Sequence, residues 1–185
     1  MESELMCRFD RRDLVAFAVD FLPFGIAVVA GLIRSGLGLC LLGWFAYWIV
    51  FFFVWEARVL CSHCPYWAAE GRVLRCHANY GVIKIWKYRP GPMSKWEKAQ
   101  FVPGVALFVG FPLVLLLAGG EYVLALVALA GAVSASFNLW RHSCSRCVNF
   151  SCPANHVPKQ LVDAYLRRNP VMRAAWEATG YRLGD

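Results

Sequence analysis

Four stretches of the chain are almost free of charge: residues 14–33, 37–55, 101–118 and 122–140. Each runs for 18 to 20 residues. An α-helix rising about 1.5 Å per residue needs roughly that length to cross a hydrocarbon core of about 30 Å. Only Arg34-Ser35-Gly36 and Gly119-Gly120-Glu121 separate the members of each pair, so both pairs read as antiparallel hairpins. The pattern predicts an all-α integral membrane protein with four transmembrane helices. It divides into a tail (1–13), a first hairpin (14–57), a loop (58–100), a second hairpin (101–140) and a second tail (141–185).

The layout repeats. Cys61-Ser62-His63-Cys64 follows the first hairpin and Cys144-Ser145-Arg146-Cys147 the second, and a shift of 83 residues lays one on the other without a gap. The same shift sets Arg58 on Arg141, Gly36 on Gly119, Leu32 on Leu115 and Leu41 on Leu124. We read two parallel helical-hairpin repeats, each followed by a cysteine cluster in water.

Composition agrees with lipid as the solvent. The chain is 59% hydrophobic and 17% charged, against about 45–50% and about 25% in soluble domains. Its net charge of +7 invites a nucleic-acid reading, but 18 of the 19 lysines and arginines fall in 1–13, 58–100 and 141–185. An even number of spans puts those segments on one side, and the positive-inside rule makes that side the cytoplasm, with both termini there. Topology and anionic headgroups explain the charge, and no nucleic-acid partner is expected. Arg8, Arg11 and Arg12 precede the first span, but Glu2, Glu4, Asp10 and Asp13 dilute them and no cleavage site follows, so we read a retained helix.

Some positions inside the spans carry further expectations. Asp20 is expected near the cytoplasmic interface, paired with Arg11 or Arg12 or hydrated, and Pro23 should kink its helix. Gly131, Ala132, Ser134, Ala135 and Ser136 give the fourth span a small-residue face for close packing, and Asn138 is expected to bond across helices. Trp44, Tyr47 and Trp48 share one face of the second span. They serve as packing or line a flat apolar pocket for a quinone or lipid. Outside the spans, Ser94 with Glu97 is a capping-box pattern, and the run from Lys84 to Arg89 is expected at the headgroup surface. Leu161, Val162, Tyr165 and Leu166, then Met172, Ala175 and Trp176 beyond Asn169-Pro170, predict two amphipathic helices docked under the bundle or on the membrane.

Six of the eight cysteines lie in the two polar clusters. In a reducing compartment thiolate–metal bonds are favoured over disulfides, and a Cys-x-x-Cys turn offers two corners of a tetrahedron. Two ligand arrangements fit. Each half closes its own site, Cys61, Cys64 and Cys76 with His77 or His63, and Cys144, Cys147 and Cys152 with His156. Alternatively the halves share one, through Cys61, Cys64, Cys144 and Cys147. Zinc suits both, while Cys64-Pro65 and Cys152-Pro153 resemble the Cys-Pro pairs at iron–sulfur clusters.

The expected function is therefore binding of zinc or an iron–sulfur cluster, as an electron-transfer subunit between a membrane quinone and a cytoplasmic partner. The alternative is a metal-stapled scaffold that docks a protein partner on the cytoplasmic face. Thiol-redox chemistry is disfavoured because the charge bias puts the cysteines on the reducing side. Soft-metal transport is disfavoured because the spans offer only Cys40. A haem bundle needs histidines within the spans, whereas His63, His77, His142 and His156 lie outside them. No hydrolase or nucleotide-binding motif is present, and no reaction follows.

Overall fold

A computed structural model describes residues 5–7 and 9–184; Glu2, Glu4 and Arg8 lie outside them. Four helices are long and apolar enough to cross a bilayer: Arg11–Arg34, Cys40–His63, Lys95–Ala118 and Tyr122–Cys144. Only 11–28% of their most apolar windows is buried within the chain. Val19, Leu22, Ile26, Val114, Val123 and Leu126 instead point outward, a surface suited to lipid. This is the architecture of a multi-pass membrane protein.

The first span is a single helix, α1 (Arg11–Arg34). The second is composite: α2 (Cys40–Ile49), a π-helical turn over Val50–Trp55, α3 (Glu56–Val59) and a 3₁₀ turn at Cys61–His63. After α4 (Pro65–Ala68) and a polar loop, α5 (Lys95–Ala118) forms the third span. The fourth is α6 (Tyr122–Asn138), prolonged by a π-helical turn over Leu139–Cys144. The spans run past the charge-free windows, so Cys61 and Cys144 sit in the last turns of helices rather than in loops. The capping box is formed: Glu97 N–H donates to Ser94 Oγ at 3.2 Å and Ser94 N–H to Glu97 Oε2 at 2.8 Å. It starts α5 six residues before the apolar run.

The two hairpin turns are alike but not at the ungapped shift. The left-handed glycines are Gly36 and Gly120, both at φ 76°, a conformation that glycine adopts without strain. They stand 84 residues apart, one more than the cysteine motifs. Packing departs further from a simple repeat, since α1 lies chiefly along α6 and touches α2 little. A Cβ on Gly131 of α6 would stand 2.8 Å from the Phe24 backbone nitrogen and 3.2 Å from Pro23. The small-residue face thus lets α1 and α6 meet almost backbone to backbone. Phe24, Ala27, Val28 and Leu32 pack there with Ala125, Ala128 and Ala132, beside Trp44 and Leu116. Asn138 Nδ2 donates to Asp20 Oδ1 at 3.5 Å, so the partner of Asp20 comes from α6.

Trp44 and Tyr47 face α5. Pro112 has no N–H to offer the carbonyl four residues before it, which is that of Phe108. Trp44 Nε1 donates to this carbonyl at 2.9 Å, and the indole stacks on the Phe108 ring at 5.1 Å. Tyr47 Oη donates to the Gly104 carbonyl at 2.8 Å.

The remaining chain forms a cap over the end of the bundle where α1 begins. Here the all-α expectation is corrected: β1 (Val73–Arg75) and β2 (Tyr80–Ile83) make an antiparallel hairpin. Its residues alternate, with Leu74 and Val82 buried and their neighbours exposed, the period-2 signature of a half-buried sheet. The Lys84–Arg89 segment also departs from expectation by turning partly into the cap. The Trp67 indole donates to the Trp86 carbonyl at 2.8 Å. Arg89 clamps the end of span two to the start of span three, donating to Ser62 Oγ at 3.2 Å, to the Arg58 carbonyl and to Glu97 at 2.5 Å. The tail folds as α7 (Lys159–Arg168) and α8 (Pro170–Glu177), split at Asn169-Pro170, with Val162, Leu166, Met172 and Trp176 buried against the cap.

Replacing Trp44 with Phe should cost about 1 kcal/mol by leaving the Phe108 carbonyl unpaired. Pro112→Ala restores an N–H to that carbonyl and should shrink the cost. The check is a double-mutant cycle on thermal unfolding in detergent, and simple additivity would refute the pairing.

Candidate functional site

The second and fourth spans deliver their cysteine segments to one place. Cys61 and Cys64 are buried in a core with Ala57, Tyr66, Trp67, Leu74, Val82 and Val148, and Cys76 packs against it. The tail reaches the same core through Val148, one residue after Cys147. Residues before α1 close it: Met6 N–H donates to the Arg146 carbonyl at 2.8 Å, and Tyr66 Oη donates to the Met6 carbonyl at 2.8 Å.

Four sulfurs share a further feature. Cys147 Sγ accepts the backbone N–H of Asn149 at 3.4 Å, and the amide of Tyr66 lies near enough to Cys64 to favour its thiolate. The amides of Ala78 and Asn79 favour the thiolate of Cys76, and those of Ala154 and Asn155 that of Cys152. At each of the four, the amide two residues on acts to favour the thiolate. Amide N–H groups aimed at sulfur favour the thiolate over the thiol. These cysteines lie within electrostatic reach of one another across the halves, Cys64 of Cys147, Cys76 and Cys152, and Cys147 of Cys76 and Cys152.

Burial acts the other way. It pushes the thiols of Cys64, Cys76, Cys147 and Cys152 above their ordinary range, and the charge of neighbouring cysteines adds to this at Cys64 and Cys147. Burial and the amides thus act on these thiols in opposite directions.

The other expected site residues separate from these four. Cys61 Sγ accepts only from the Asn79 side chain, at 3.9 Å. Cys144 lies within reach of Cys147 and Cys152 in the last turn of the fourth span. His77 is buried 3.8 Å from Cys76 Sγ, and burial lowers its pKa, keeping it neutral. His156 is exposed and stacks on Trp140 at 4.5 Å. His63 Nδ1 stands 2.6 Å from the Gly91 carbonyl, with Nε2 3.4 Å from Glu97. Trp44 and Tyr47 direct their polar hydrogens to α5, and Trp48 faces outward, edge-on to Phe53. Among the described residues, no three histidine, cysteine or acidic groups stand close enough to close on one ion as placed.

Asparagines complete the site and were not singled out from the sequence. Asn79 Nδ2 donates to the Phe52 carbonyl and to Glu56 Oε2, at 3.1 and 3.0 Å. Asn155 Nδ2 donates to the Cys147 carbonyl at 2.7 Å. Asn149 Nδ2 donates to the Leu60 carbonyl at 3.3 Å, while its buried Oδ1 has no partner among the described residues. That orphaned acceptor lies between the two cysteine segments and fits a site that takes up water or a ligand. The signal was spacing: Asn79, Asn149 and Asn155 each follow a cysteine by two or three residues.

No family model matches the chain, and no curated protein or solved structure shows significant similarity to it.

The raised thiols set a pH dependence for the metal-free protein. An unfolded thiol titrates near pH 8.5, while the folded ones hold their protons to higher pH. Stability is therefore full below that value and falls as pH rises toward the folded pKa values. Between pH 7 and 10 under reductant, hydrogen-exchange protection of the cap, taken relative to the intrinsic base-catalysed rate, should fall while that of the spans holds. The Cys64→Ser/Cys147→Ser pair should blunt the effect, and an unchanged profile in that variant would place its cause elsewhere.

Proposed function

We propose that the cap is a metal-binding module on a multi-pass membrane protein, holding zinc or an iron–sulfur cluster through Cys64, Cys76, Cys147 and Cys152. The observation that carries this reading is the set of four cysteines, two from each half, within electrostatic reach of one another and each with the amide two residues on favouring its thiolate. It favours a shared site over one per half, with a ligand set different from the two Cys-x-x-Cys pairs. His77 and His156 are not needed, and Cys61 and Cys144 flank the site.

A shared site ties the loop after the first hairpin to the tail after the second. Its best-supported role is that of a staple, fixing the cap as a docking face for a protein partner. The charge bias supports a cytoplasmic position for that face and for both termini. One observation favours the electron-transfer reading: Cys64 and Cys152, the two cysteines followed by proline, both belong to the four. A quinone is not part of the proposal, because Trp44 and Tyr47 are engaged with α5.

Metal analysis and an absorption spectrum of anaerobically purified protein test this reading. Zinc in a colourless sample supports the staple. Iron and sulfide in a brown one support electron transfer. Serine at any of Cys64, Cys76, Cys147 or Cys152 should abolish metal retention, whereas Cys61→Ser and Cys144→Ser should leave most of it. Uptake has to displace thiol protons, so affinity should weaken as pH falls. A protein that never retains or takes up metal overturns the proposal, and equal loss from all six variants overturns the choice of four.

A further inference from the structure

A second candidate site lies at the start of α1. Phe9, Asp10, Arg11, Arg12, Arg75 and Tyr80 line an open cleft of about 510 Å³. One wall is aromatic, Phe9 stacked on Tyr80 at 5.2 Å. The rest is dominated by three guanidinium groups, and none of the three forms an ion pair among the described residues.

Electrostatics leaves this arrangement incomplete. Arg11 and Arg12 are the first two residues of a 24-residue helix, the end where the helix dipole disfavours cations. Asp10 offsets part of this as the N-cap, accepting the Arg12 N–H at 2.9 Å. The hairpin then brings Arg75 to the same cleft, with Lys84 close enough that Arg75 lowers its pKa, burial being the larger cause. Among the described residues that line the cleft, three arginines meet one carboxylate at a positive helix end, with Asp13 the other acid of that turn, and an anion fits this surplus of positive charge. Guanidinium forks match phosphate oxygens in pairs. Because α1 is a span, its first turn lies at the depth of the headgroups.

We propose that this cleft binds the phosphate of an anionic phospholipid headgroup, through Arg11, Arg12 and Arg75 with Tyr80 as an additional donor. A cluster of basic residues near a bilayer attracts anionic lipid in any case. What distinguishes a site is that these arginines matter and others do not.

The full chain, purified in neutral detergent, is titrated with short-chain phosphatidylglycerol or phosphatidylcholine, and binding is read from the shift in thermal unfolding. The expected result is a preference for phosphatidylglycerol of roughly tenfold or more. Arg11→Gln/Arg75→Gln should abolish it, and the equal charge change Arg167→Gln/Arg173→Gln on the tail should preserve it. Arg75→Gln alone, at an exposed hairpin position, should give a partial loss if the double variant does not fold. A preference untouched by either cleft variant overturns the site, and equal loss from the tail pair reduces it to diffuse surface charge. Millimolar inorganic phosphate should not compete. If it competes fully, the ligand is free phosphate and the lipid assignment falls.

Discussion

The contact between α1 and α6 constrains the rest of the molecule. In a bilayer helices gain nothing hydrophobic by leaving lipid, so association rests on close van der Waals fit and on the few polar groups that meet. Gly131 supplies the fit by letting the Pro23–Phe24 backbone approach, and the Asp20–Asn138 pair supplies a polar contact at the same interface. Because the first span packs on the last, residues 5–7 and the tail emerge side by side. That adjacency makes the Met6–Arg146 bridge possible and brings Cys147 to Cys64.

Proline shapes the packing of the middle spans. A carbonyl freed within the hydrocarbon has no water to bond, so another helix must serve it. Trp44 does this for Phe108, which turns an apparent defect at Pro112 into an interhelical bond. At the cap, Arg89 plays the corresponding part by binding Ser62, the Arg58 carbonyl and Glu97 together. Arginine suits this position because one planar fork reaches several acceptors at once. The second and third spans are thereby joined at the end that carries the thiols.

The four spans were legible because 18-residue apolar runs and tight glycine turns have few other readings. The capping box, the two tail helices and the interhelical role of Asn138 were legible for similarly local reasons. The β-hairpin was not, because its strands are only three and four residues long and lie in a loop rich in charge. The inward turn of Lys84–Arg89 was hidden because a mixed basic and aromatic run fits a membrane surface and a small polar core equally well. The cysteine clusters stood out by spacing, but their division did not. Whether a sulfur receives an amide depends on the backbone after it, and that separates Cys64 and Cys147 from Cys61 and Cys144 within otherwise matching motifs.

The two proposed sites meet in one marginal element. A hairpin with seven residues in its strands has little stability of its own in water, and it is held by Leu74 and Val82 against the cap core. Arg75 ends its first strand and faces the cleft, while Cys76 follows directly and faces the other thiols. If both proposed sites bind, a ligand that fixes either residue offsets part of the ordering cost for the other, and the coupling is equal in both directions. Tyr80 stacked on Phe9 extends the same linkage to the segment that leads into α1. The cysteine region and the proposed cleft thus share one short hairpin, through the adjacent Arg75 and Cys76.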